Sequence, residues 1–119
     1  MAYVHEFGII DCIEENKDYT YEPDKYNCIC VDGDLIDEIY HKGFGDKMKK
    51  LDTFAHNTKR PYKDLAYYGI TLIPPGSLEE FLNIIIEENV QCKSEELEML
   101  EKKISDAIKE NKWLIHYGI

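Results

Sequence analysis

The chain has 119 residues, 24 acidic against 14 basic, a formal charge of −10, and 44% hydrophobic content that includes nine Tyr, four Phe and one Trp. Two cores of half this length would each be marginal and the aromatic content excludes a disordered chain, so a single domain over residues 1–119 is expected. The acidic balance excludes general nucleic-acid binding, which needs Lys and Arg to neutralise phosphates, and no apolar run reaches the ~18 residues of a membrane span.

Met1-Ala2-Tyr3-Val4-His5-Glu6 has neither a basic n-region nor an apolar h-region, so a cytoplasmic location is expected. Val4 to Ile10, short and rich in branched and aromatic residues, predicts a strand. Residues 16 to 25 carry Asp, Glu, Tyr19, Tyr21 and Pro23 without periodicity and predict an exposed loop. Tyr26 to Val31 predicts a second strand ended by Asp32-Gly33-Asp34, where a helix begins. Asp34 is the expected cap, with Leu35, Ile36, Ile39 and Tyr40 as the apolar stripe. Gly43-Phe44-Gly45 interrupts it, and Phe44, Met48, Leu51 and Ala55 then predict a second helix, ended before Pro61.

Ala66 to Ile73 reads as a central strand covered on both faces, stopped by Pro74-Pro75-Gly76. Ser77-Leu78-Glu79-Glu80 has the pattern of a capping box and predicts a helix to about Asn89, with Ile84 and Ile86 widening its buried face. Ser94 caps a further helix with Leu97, Leu100, Ile104, Ala107 and Ile108 inward, and the two form a hairpin. Trp113 to Ile119 predicts the last strand. The order β-β-α-α-β-α-α-β implies an α+β fold of about four mainly antiparallel strands with helices packed on the sheet, because a helix pair returns the chain reversed.

Cys12, Cys28, Cys30 and Cys92 have neither a disulfide framework nor zinc-finger spacing, and read as small buried hydrophobes. Phe7-Gly8-Ile9, Tyr68-Gly69-Ile70 and Tyr117-Gly118-Ile119 repeat one triplet on three predicted strands. Glycine there permits close backbone approach; the competing explanation is a ligand approaching the glycines. His5 and His116 would be neighbours if the terminal strands pair, and with Glu6 they form the one acid/base group a small hydrolase or transferase could use. No G-x-S-x-G elbow, phosphate loop or dinucleotide fingerprint is present, so no catalytic residue, cofactor or metal site is assigned.

Charge is unevenly placed: net −9 over residues 1–41, +5 over 42–63 and −6 over 64–119. The basic segment could contact an acidic partner or phosphate, but is more simply expected to neutralise acidic surface of this same chain, and the N-terminal third concentrates acidic charge among tyrosines. There Glu14, Glu15, Asp18, Tyr19, Tyr21, Glu22, Asp24, Asp34, Asp37 and Glu38 combine rings for anchoring with charge for long-range attraction.

With this Tyr-bearing acidic third and the segment Tyr68 to Phe81, the chain resembles the small acidic immunity and antitoxin proteins of bacterial toxin systems. The resemblance implies an inhibitor that occludes the active site of a basic toxin domain; these proteins share no motif from which site residues could be carried over. A third possibility is an oligomeric regulatory module pairing through the edge of strand 113–119.

Overall fold

The computed structural model describes residues 4–11, 13–14, 17–65 and 69–118. Among the described residues five strands form one wholly antiparallel sheet: β1 (Val4–Ile10), β2 (Ile29–Asp32), β3 (Phe54–Ala55), β4 (Ile70–Ile73) and β5 (Trp113–Tyr117). Their spatial order is β2-β1-β5-β4-β3. Four helices, α1 (Gly33–His41), α2 (Phe44–Met48), α3 (Pro75–Cys92) and α4 (Glu95–Glu110), complete an α+β fold in the expected order. The fifth strand is the two-residue β3, held between Leu72 of β4 and a bridge from Phe54 to Pro61.

Alternation along the strands sorts the side chains onto two faces. Phe7, Val31, Ile73 and Leu114 meet Ile36 and Ile39 of α1, Phe44 and Met48 of α2, Phe81 and Ile85 of α3, and Leu97, Leu100 and Ile104 of α4. Each such side chain contributes roughly 1.5–3 kcal/mol by leaving water. The opposite face, bearing Ile10, Ile70, Leu72, Ile115 and Tyr117, is covered not by helices but by the loop after β1, through Ile13, Tyr19 and Tyr26. Strand β4 is therefore buried on both sides, as its sequence predicts.

Several boundaries move for identifiable reasons. Asp32, not Asp34, caps α1: its carboxylate accepts the Asp34 N–H at 3.0 Å. The 3-10 turn Pro23–Tyr26 takes Tyr26 out of the expected strand, and Asn27 leaves it at φ 51°. Helix α2 stops at Met48; Leu51 stays buried, but Ala55 pairs with Thr71 instead. The Ser77 capping box does not form. Pro75, with φ already set for the first helical position, starts α3 three residues earlier, and the Ser77 hydroxyl donates instead to the Asp52 carbonyl at 2.8 Å. Ile84 is buried but Ile86 is exposed, so α3 widens its buried face by less than expected.

Ser94 caps α4 as predicted, accepting the Leu97 N–H at 3.4 Å, and Lys93 turns the hairpin in the left-handed region. Strand β5 lies between β1 and β4 with both sides paired, so it offers no edge for a second copy, contrary to the oligomeric expectation. No helix among the described residues is long and apolar enough to cross a membrane.

The glycine triplets answer to close packing. A Cβ on Gly8 would lie 2.7 Å from Cys28 Sγ and 2.9 Å from the Tyr26 carbonyl oxygen, and Gly69, at φ +98°, would drive one into His56. Cysteine burial is only partly as expected. Cys28 and Cys92 are half-buried, Cys30 is exposed opposite Glu6 on the outer face, and Cys12 lies outside the described residues.

Candidate functional site

The histidines of the proposed acid/base group do meet. Pairing of β1 with β5 brings His5 Nδ1 to 2.8 Å from His116 Nε2 with the rings stacked, and His116 Nδ1 lies 3.3 Å from Thr71 Oγ1. Both imidazoles are wholly out of solvent, on the helix-covered face beside Phe7. Burial lowers His5 to about 4 against a partial opposing pull from Asp37 of α1. Burial also holds His116 well below the usual imidazole range, with the neighbouring His5 acting in the same direction. Both rings are neutral near pH 7. Glu6, adjacent to His5 on a strand, points to the opposite face, where its carboxylate accepts the Tyr21 hydroxyl. The three residues therefore form no common site, and the histidine pair lies wholly within the protein interior.

The acidic and tyrosine residues divide between two layers. Asp34, Asp37 and Glu38 belong to α1 on the helix side. Asp34 is exposed, Glu38 pairs with Lys42 at 3.5 Å, and Asp37 is half-buried toward His5. Glu14, Asp18, Tyr19, Tyr21, Glu22 and Asp24 belong to the loop on the other face; Glu15 lies outside the described residues. The ten residues thus do not share one face, because a helix and a loop leaving the same hairpin cover opposite sides of the sheet.

The loop is held down by its own aromatics. Tyr19 is buried, its N–H donating to the His56 carbonyl at 2.9 Å and its hydroxyl accepting the Glu14 N–H at 3.0 Å. It is an anchor and not a contact surface. Asp18 accepts from Asn57 Nδ2 at 3.0 Å, and the Glu22 N–H donates to the Tyr117 hydroxyl at 3.2 Å. Tyr21 stays 62% exposed while its ring stands edge-on to Tyr117 at 5.0 Å. The hydrogen bond it gives Glu6 pushes its phenol up to about 12. The carboxylates of Glu14, Asp18, Glu22 and Asp24 are exposed along the same loop, with Lys17 and Lys25 pairing to Glu14 and Glu22 at 3.5 and 3.8 Å.

Beside Tyr21 opens a shallow cleft of about 430 Å³, lined also by His56, Ile70, Tyr117, Gly69 and Gly118. His56 ties the loop to the sheet: its N–H donates to the Ile70 carbonyl at 3.0 Å, and its ring Nε2 accepts the Ile70 N–H at 3.3 Å. The role of His56 has no sequence motif behind it; its only sequence signal is the Gly69 triplet, whose missing side chain makes room for the ring.

Among the described residues no three His, Cys, Asp or Glu side chains converge as metal ligands would. Within the basic segment, Lys42, Lys47 and Lys63 pair with Glu38, with Glu87 and Glu88, and with Asp52, in line with the expected self-neutralisation.

Comparison with protein-family models, with curated proteins and with solved structures finds no match. The reading of the outer-face surface rests on its own geometry.

Proposed function

We propose that this chain is an acidic protein-binding module, an immunity or antitoxin-like inhibitor that neutralises a basic toxin domain in the cytoplasm by occluding its active site. The observation that carries this reading is Tyr21, an exposed ring fixed by a hydrogen bond to Glu6, on a loop that also exposes the carboxylates of Glu14, Asp18, Glu22 and Asp24. A rigid aromatic loses little entropy when covered, which is what an interface anchor requires. The loop's carboxylates supply negative potential that accelerates encounter with a cationic surface and stand where an anionic substrate of the toxin would lie. The net charge of −10 extends this attraction over the whole molecule. The binding set is accordingly narrowed to the loop, with Tyr19 as its internal support and the α1 acids outside it.

The test is co-expression with the product of the adjacent gene, followed by binding kinetics across ionic strength. A complex whose association rate falls steeply with salt, and falls again in Glu22→Lys/Asp24→Lys, is expected. Failure to bind a cationic partner at low salt, or a complex indifferent to salt, overturns the reading.

A further inference from the structure

We propose that the cleft between Tyr21 and His56 receives an arginine side chain of the basic partner. This rests on the protein-binding reading above and adds the chemistry of its central contact. Tyr19, Tyr21 and Tyr117 all line the cleft and Tyr21 is mostly exposed, so a planar cation entering there meets aromatic rings. His56 lines it as well. Its ring is held by the Ile70 N–H, which donates to Nε2 at 3.3 Å.

Charge complementarity selects a cation over an apolar chain. No Lys or Arg is among the described residues lining the cleft. Two carboxylates adjoin its walls: Glu6 accepts the Tyr21 hydroxyl, and Asp18 precedes Tyr19 and takes a hydrogen bond from Asn57 next to His56. Arginine rather than lysine suits this arrangement, because a guanidinium stacks flat on a ring while its edge donates to carboxylates, and it sheds water more readily than an ammonium. At about 430 Å³ the cleft has the volume for a side chain, and the glycines leave it open: Gly118 donates to the Gly69 carbonyl at 2.7 Å, with no side chain from either to fill the space.

The test needs no partner. The full chain, uniformly ¹⁵N-labelled, is titrated with N-acetyl-arginine-N-methylamide, and with the lysine and norleucine analogues in parallel. Saturable shifts at Thr20, Tyr21, Ile70 and Gly118 are expected with the arginine compound, at least ~5-fold tighter than with lysine, as cation–π and bidentate contacts imply. Tyr21→Ala removes those shifts while the dispersed spectrum shows the fold intact, since this ring is mostly exposed; Tyr21→Phe keeps the ring and retains binding. Absence of shifts, or equal binding of lysine or norleucine, overturns the proposal. These outcomes are separate from those of the inhibitor reading. Arginine binding without any cationic protein partner supports the cleft and leaves that reading to fail alone. A salt-sensitive complex unaffected by Tyr21→Ala overturns the cleft and leaves the reading standing.

Discussion

Acidification from pH 7 to pH 5 destabilises this fold through His5 and His116. Burial brings His5 from 6.5 down to about 4, so between those values the unfolded chain takes up a proton that the folded chain refuses. Stability is full above the unfolded value and is lost as the pH falls toward the folded one. For His5 alone the linkage integral from pH 7 to pH 5 gives a loss approaching ~2 kcal/mol, and His116, lowered by burial and by its neighbour, adds to it in the same direction. Against a total of roughly 5–15 kcal/mol this is a large fraction, equivalent to a fall in melting temperature of at least ~5 °C.

Urea denaturation followed by Trp113 fluorescence and far-ultraviolet dichroism at the two pH values measures the loss. The control is His5→Leu/His116→Leu, which removes both partners of the buried hydrogen bond together and so avoids stranding one of them. Carboxylates titrate alike in both proteins, so the double variant should lose less stability on acidification, by about 2 kcal/mol or more. Equal losses in the two proteins, or a His5 ring resonance that titrates near 6.5 in the folded chain, refute the reasoning.

Two further perturbations probe the packing. Gly8→Ala places a methyl 2.7 Å from Cys28 Sγ and 2.9 Å from the Tyr26 carbonyl, and should cost ~1–3 kcal/mol by lifting the 3-10 turn, read as a lowered urea midpoint at unchanged slope. Lys47→Met leaves the buried Glu88 carboxylate without the ammonium 3.0 Å away and should cost ~1–2 kcal/mol, with much of it recovered in Lys47→Met/Glu88→Met; a double-mutant coupling near zero would show that solvent already screens the pair.

The elements that could be read from sequence are those whose cause is local. Helix α4 carries its cap at Ser94 and its stripe from Leu97 to Ala107 within one continuous segment, and both appear where the pattern puts them. Strand β4 announces double burial by a nearly continuous apolar run, broken only at Thr71. Strand β3 has no such signature, because two residues become a strand only by pairing with Leu72 and Pro61. At α3 two local signals compete, and Pro75 prevails over Ser77 because a ring-fixed φ needs no partner whereas a capping box needs two bonds.

The candidate site divides in the same way. The meeting of His5 and His116 follows from pairing the terminal strands, and the separation of Glu6 follows from alternation, which the grouping of His5 with Glu6 overlooked. Which side of the sheet the loop and α1 would cover is decided by tertiary packing, so the division of the acids between two layers had no trace in the sequence. Tyr19 and Tyr21, two residues apart in one acidic stretch, likewise look equivalent until His56 and Tyr117 bury the first and leave the second exposed.

The central position of β5 has a consequence for how the molecule is made. β1 with β2, and β3 with β4, are each local hairpins or near-hairpins, yet within the sheet the two halves touch only through a strand translated after all the others. On the ribosome the nascent chain holds two unjoined half-sheets whose inner borders stay open until residues 113–117 emerge. Assembly is therefore a zipping event completed once β5 has emerged, and a chain cut short before Trp113 would lose the seam of the sheet and not merely its border.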